Sequence, residues 1–260
     1  MSLNKTIINN VEEVLKTSLR NKFSKYNPEP ASMPFHLRLL GKDRMALFSF
    51  IHSLNTNFGV AIFEPVALEL AKKSFKVAAT QVESGNQISE KALFVIQQIM
   101  DNLTAVHVKP DKENEIKQLR KVCQSGKMRN VNPTNVDIYL MNDKGEEFLF
   151  DIKTAKPNKG GFKEFKRTLL EWVAAKLAEN PKAKVNTMIA IPYNPYEPKP
   201  YSRWTMAGML DLPNELKVAE EFWDFVGGIG TYEELLGCFE RVGIELRSEI
   251  DAYFKKFLKL

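Results

Sequence analysis

Asn135-Val136-Asp137-Ile138-Tyr139-Leu140, followed after a short turn by Phe148-Leu149-Phe150-Asp151-Ile152-Lys153, reads as two adjacent β-strands. The residues between them, Asn142-Asp143-Lys144-Gly145, are of the types that accept positive φ and join antiparallel strands. Side chains alternate between the faces of a strand. Asp151 and Lys153 therefore share a face, with Ile152 behind them in the core. Closing the hairpin at the turn brings Asp137 beside Asp151.

Two carboxylates at short range repel unless a cation lies between them. Hard oxygen ligands of this kind suit Mg²⁺, which takes one or two carboxylates and fills its shell with water and phosphate oxygens. A lysine one strand period away is placed to stabilise a phosphorane or to orient an attacking water. These are the parts of phosphodiester hydrolysis. Read in this way, the hairpin resembles the PD-(D/E)xK nuclease core. Asp137 stands as the first acid, Asp151 as the second, and Asp151-Ile152-Lys153 as the D-x-K. Val136 occupies the place of the motif's proline, and Pro133 lies a few residues earlier. The resemblance implies Mg²⁺ held by Asp137, Asp151 and the Ile152 carbonyl. It also implies Lys153 as base or transition-state stabiliser, and a helical glutamate, Glu64 or Glu69, completing the site.

The segment Thr154–Arg167 carries five positive side chains and one acid. Pro157, Gly160 and Gly161 make its first half a loop, and the pattern turns helical from Phe162. Phe165, Leu169, Trp172, Val173 and Leu177 fall on one helical face, leaving Lys163, Lys166, Arg167 and Lys176 elsewhere. A loop feeding a helix N-terminus beside a metal site suits a phosphate chain. Asp151-Ile152-Lys153-Thr154-Ala155-Lys156-Pro157-Asn158, then Phe162-Lys163-Glu164-Phe165-Lys166-Arg167 and Glu171-Trp172, resembles the TdeIII family of type II restriction endonucleases. That resemblance implies a homodimer cutting double-stranded DNA at a short palindrome with Mg²⁺. The implied target is GG and CC separated by one unspecified base.

Arginine to guanine is the commonest base contact, which singles out Arg129, Arg167 and Arg203. Arg203, between Ser202 and Trp204, reads equally as a structural ion pair. Lys156, Lys159, Lys163 and Lys166 are expected to hold the DNA phosphates, and Lys127 and Asn158 to take part in DNA binding. From His107 to Arg129 charge dominates, and Gln124–Asn130 has no apolar rhythm. Two readings are open there: a loop that orders against DNA, or a connector before the hairpin.

With 260 residues, 44% of them hydrophobic, the chain is long enough for a sizeable core. The net charge of +5 is mild, so its gathering near the hairpin says more than its size. Two cysteines far apart suggest neither a disulfide framework nor a metal site, and fit a reducing, cytoplasmic compartment. No apolar run is long enough for a bilayer. Three isolated histidines and the lack of a phosphate-binding glycine motif argue against a histidine-based hydrolase and an ATP-driven enzyme.

The expected fold is α/β (α+β), restriction-endonuclease-like. A central mixed sheet with a catalytic hairpin is flanked by helices within one domain, 1–260. Helical portions at 1–105 and 212–260 pack around the core. The periodicity predicts helices over 4–24, 43–54, Glu64–Ala78 and 90–103, the last capped by Ser89, with Gly59–Ile62 short and extended. A third strand is predicted at Val185–Tyr193, with helices at 214–226 and 232–260. Two other functions remain open: a repair-type nuclease with the same core, and a DNA-binding protein whose acids are structural.

Overall fold

The computed structural model describes residues 3–27, 33–153, 161–201 and 204–258. The chain divides into two compact units, residues 1–70 with 228–260, and residues 71–227.

The first unit opens with α1 (Lys5–Lys25), α2 (Pro34–Leu40) and α3 (Lys42–Phe58). Asn4 caps α1, its Oδ1 accepting from the Ile7 N–H at 2.8 Å. Pro34 sits in the first turn of α2, where its missing N–H costs nothing. Gly59–Phe63 is a π-helical segment rather than the expected extended one, and it leads into α4 (Glu64–Ala71). That helix stops at Ala71 instead of reaching Ala78.

The second unit begins with β1 (Val77–Val82), β2 (Gln87–Ser89), α5 (Glu90–Thr104), α6 (Lys112–Val122) and β3 (Met128–Asn130). It continues with β4 (Val136–Met141), β5 (Glu146–Ile152), α7 (Phe162–Glu179), β6 (Lys184–Ile191) and α8 (Trp204–Ala207). It closes with α9 (Leu212–Glu215), β7 (Leu216–Val218) and α10 (Glu220–Gly227). The chain then returns to the first unit through α11 (Thr231–Glu245) and α12 (Arg247–Leu258), where Tyr253 stacks on Phe23 at 4.7 Å.

Five strands form one sheet in the order β1-β4-β5-β6-β7. β1, β4 and β5 pair antiparallel with one another in turn, while β6 and β7 run parallel to β5. A parallel step needs a long crossover, and α7 supplies it between β5 and β6. This is the mixed α/β architecture expected from the sequence. On one face Phe148 and Phe150 of β5 pack against Phe225 of α10 at 5.1 and 5.7 Å, with Phe75 and Phe222 alongside. Each such ring pair contributes about 0.5–1.5 kcal/mol beyond area burial. On the other face lies α7, whose Lys176 sits over the Tyr139 ring at 5.2 Å. A separate ribbon pairs β2 with β3.

Three local predictions yield to tertiary pairing. Val77–Val82 is a strand because its β-branched residues fit the free edge of β4. The helix expected at 214–226 is broken by β7, which extends the sheet beside β6. Met128–Asn130, without apolar rhythm, is ordered by backbone pairing to β2. Ser89 caps α5 as expected, its Oγ accepting from the Ala92 N–H at 3.1 Å.

Candidate active site

The hairpin turn is built from the residues that suit it. Asn142 Oδ1 accepts from the N–H groups of Lys144 and Glu146, both at 3.0 Å, and Gly145 takes φ 71°. This fixes the register as Ile138 opposite Phe150 and Tyr139 opposite Leu149. One step further along the same register sets Asp137 opposite Asp151. The opposed carboxylates lie at the end of the β4–β5 ladder, on the face that carries α7. Asp151 is 5% exposed, and Lys153 Nζ lies 2.6 Å from its Oδ1. Burial pushes the Asp151 carboxyl up to about 7; Lys153 opposes that rise and Asp137 adds to it. The Lys153 ammonium also lies 4.9 Å from the centre of the Phe165 ring on α7, which limits where it can swing.

Both oxygens of Asp137 are held. Oδ2 accepts from the Ile152 N–H at 2.7 Å, and Oδ1 from Gln81 Nε2 at 3.1 Å. The segment entering β4 is pinned in turn, because the indole N–H of fully buried Trp172 donates to the Thr134 carbonyl at 2.7 Å. Two carboxylates, one of them buried and disfavoured as an anion, make a donor set that a hard divalent cation would relieve. Among the described residues no group of three or more His, Cys, Asp and Glu is gathered that could hold a metal ion, at this hairpin or elsewhere, so the acid pair would need backbone, water or substrate oxygens to complete a shell.

The model of the HinfI family, described as type II restriction endonuclease, matches residues 3–243. The chain belongs to that family. It is accordingly an enzyme of the site-specific deoxyribonuclease class, with DNA as its substrate. Among similar proteins, the type II restriction enzyme HgiCII of Herpetosiphon aurantiacus is 28% identical over 84% of this chain and 80% of its own length. HgiBI of the same organism is 24% identical over 96% of this chain and 98% of its own. MjaII of Methanocaldococcus jannaschii is 26% identical over 88% of this chain and 68% of its own.

The restriction-endonuclease expectation drawn from the hairpin and its basic sequel therefore holds at the level of family and enzyme class. The individual basic residues fare differently. Lys166 is fully buried, its Nζ 2.6 Å from Glu115 Oε2 and 2.6 Å from Glu215 Oε2. It faces the protein interior, which corrects the expectation that it touches DNA phosphate. Lys112 completes the cluster, reaching Glu215 at 2.9 Å and Thr187 Oγ1 at 2.6 Å. Burial pushes the Glu215 carboxyl up, but Lys112 and Lys166 outweigh it and hold that group below the usual carboxylate range.

Lys163 and Lys127 are exposed. Arg167 donates to Gln97 Oε1 at 2.7 Å, and Arg129 is ion-paired with Glu90. Lys156, Asn158, Lys159 and Arg203 lie outside the described residues. Glu64 and Glu69 are both on α4 in the helical unit: Glu64 is buried there, and Glu69 accepts from Asn10 Nδ2 at 2.7 Å.

Two features escaped the sequence reading. Gln81 was hidden because the start of its strand was read as the end of a helix reaching Ala78. Lys112 and Glu115 lie in a stretch read as dominated by charge, although Glu115 and Leu119 are both buried one turn apart on α6.

Proposed function

We propose that this family member hydrolyses double-stranded DNA in a Mg²⁺-dependent reaction, acting as a homodimer on a short palindrome. GG and CC separated by one unspecified base is the first sequence to test. The observation that carries the reading is the pairing of Asp137 and Asp151 across β4 and β5, with Lys153 ion-paired to the second acid. In this reading the two carboxylates and the Ile152 carbonyl would hold the metal, which when bound would polarise a phosphoryl oxygen and acidify a water. Lys153 leaves Asp151 and turns to the scissile phosphate or the attacking water, with the Phe165 ring limiting its travel. Asp151, uncomfortable as a buried anion, is poised to exchange its proton for a cation.

Lys163 and Lys127, both exposed, and Lys156, Asn158 and Lys159 are proposed to contact phosphates. Arg129, Arg167 and Arg203 are proposed as base contacts; for Arg129 and Arg167 this requires release from Glu90 and Gln97. A cytoplasmic setting agrees with buried Cys123 and Cys238, which form no disulfide. Among the described residues no single helix is long and apolar enough to cross a membrane.

The test is digestion of a plasmid of known sequence with and without Mg²⁺. Discrete fragments that require the metal are expected, and a smear would mean cleavage without sequence preference. Lys153→Ala is expected to abolish cutting while its circular dichroism and melting stay close to wild type. Cutting at the wild-type rate by that variant would refute the assignment.

A further inference from the structure

Gln81 sits in β1, the edge strand beside the first acid, in a conformation that a strand does not require. Its φ is 54°, in the left-handed region that non-glycine residues adopt at a cost. The ladder to β4 is paired on either side of it, Thr80 with Ile138 and Val82 with Val136, and skips the position between. That skipped position is where Gln81 would face Asp137. The side chain is exposed, and its Nε2 donates to Asp137 Oδ1 at 3.1 Å.

A single exposed hydrogen bond is a modest gain beside the cost of a disfavoured backbone region, so this bond alone does not account for the strain. What it does achieve is geometric. The Ile152 N–H fixes one carboxylate oxygen of Asp137 and the Gln81 amide fixes the other. With both oxygens held, the carboxylate cannot rotate about its Cβ–Cγ bond without breaking one of the two bonds.

We propose that Gln81 is a positioning residue: it orients the Asp137 carboxylate for a divalent cation, and the kink in β1 exists to bring its amide there. This rests on the metal-site reading of Asp137 and Asp151, and deepens it. Partners that orient a metal ligand typically govern affinity by about 10–100-fold.

Gln81→Gly is the informative variant, because glycine adopts this φ without strain and carries no amide. Mg²⁺ binding to the purified protein, followed by calorimetry, is expected to weaken about tenfold or more. The Mg²⁺ concentration for half-maximal cleavage should rise in parallel, while urea unfolding shows equal or greater stability. Asp137→Ala is measured beside it. If Asp137→Ala loses Mg²⁺ binding but Gln81→Gly binds Mg²⁺ as the wild type does, the positioning role is refuted and the metal site stands. If Asp137→Ala binds Mg²⁺ and cuts normally, the metal-site reading fails, and the proposal with it.

Discussion

Replacing Asp151 by asparagine should remove one large contribution to the pH dependence of the metal-free protein's stability. The Asp151 carboxyl is pushed from 3.8 to about 7, first by burial and then by Asp137, against the pull of Lys153. Between those two values the unfolded chain carries this group ionised while the folded protein keeps it protonated. The folded state then binds more protons, so stability falls as pH rises. The contribution is fully present below 3.8 and gone above about 7. From pH 5 to pH 7 there are two units, each about 1.4 kcal/mol, so roughly 3 kcal/mol is lost over that window. Asparagine keeps the shape and has no proton to lose. Urea unfolding of both proteins at pH 5 and pH 8, in the presence of a chelator, isolates the effect. Titrating groups away from the site, such as Glu115, are common to both and cancel. The stability of Asp151→Asn relative to wild type should grow by roughly 3 kcal/mol between the two pH values. Adding Mg²⁺ at pH 8 should then stabilise the wild type and leave the variant nearly unmoved, since binding to the folded state alone shifts the equilibrium. A relative stability that is the same at both pH values would refute the picture of a buried carboxyl waiting for a cation.

Two further substitutions separate the lysines of α7. Lys166→Ala leaves Glu115 and Glu215 short of a buried partner and should cost about 3–5 kcal/mol in urea unfolding, with no change in the salt dependence of DNA binding. Lys163→Ala, at an exposed position, should do the reverse, with unfolding within about 0.5 kcal/mol of wild type. A plot of log affinity against log salt should flatten by about one unit if Lys163 meets a phosphate.

The hairpin was legible because everything that forms it is local. Turn chemistry at Asn142 and Gly145, alternation along the strands and the spacing of Asp151 and Lys153 lie within one short stretch. The βαβ step was legible for a similar reason, since Phe162 opens a helical pattern and Met188–Ile191 a buried apolar run. What stayed hidden is decided by partners distant in sequence. β1 and β7 become strands because β4 and β6 offer free edges to them. The residue that holds Asp137 Oδ1 lies on one of those unread strands.

Lys163 and Lys166 show why charge alone misleads. They are the same residue type, one helical turn apart on α7, and periodicity assigns neither to the apolar face. Yet α7 is enclosed along most of its length, with Phe162, Lys166, Leu169, Leu170 and Val173 all buried. A lysine can stay charged in such a place only if acids are brought to it. Here they come from α6 and α9, through Glu115 and Glu215, with Lys112 balancing the second glutamate. The cluster ties α6, α7, β6 and α9 together by directional bonds that an apolar contact would not supply. Its consequence for the site runs through α7. Phe165, the residue next to Lys166, presents its ring to Lys153, and Trp172 further along holds the strand that carries Asp137. A helix free to slide would move both at once. The buried ion pairs therefore act on the chemistry by fixing the element against which the acid pair and its lysine are set.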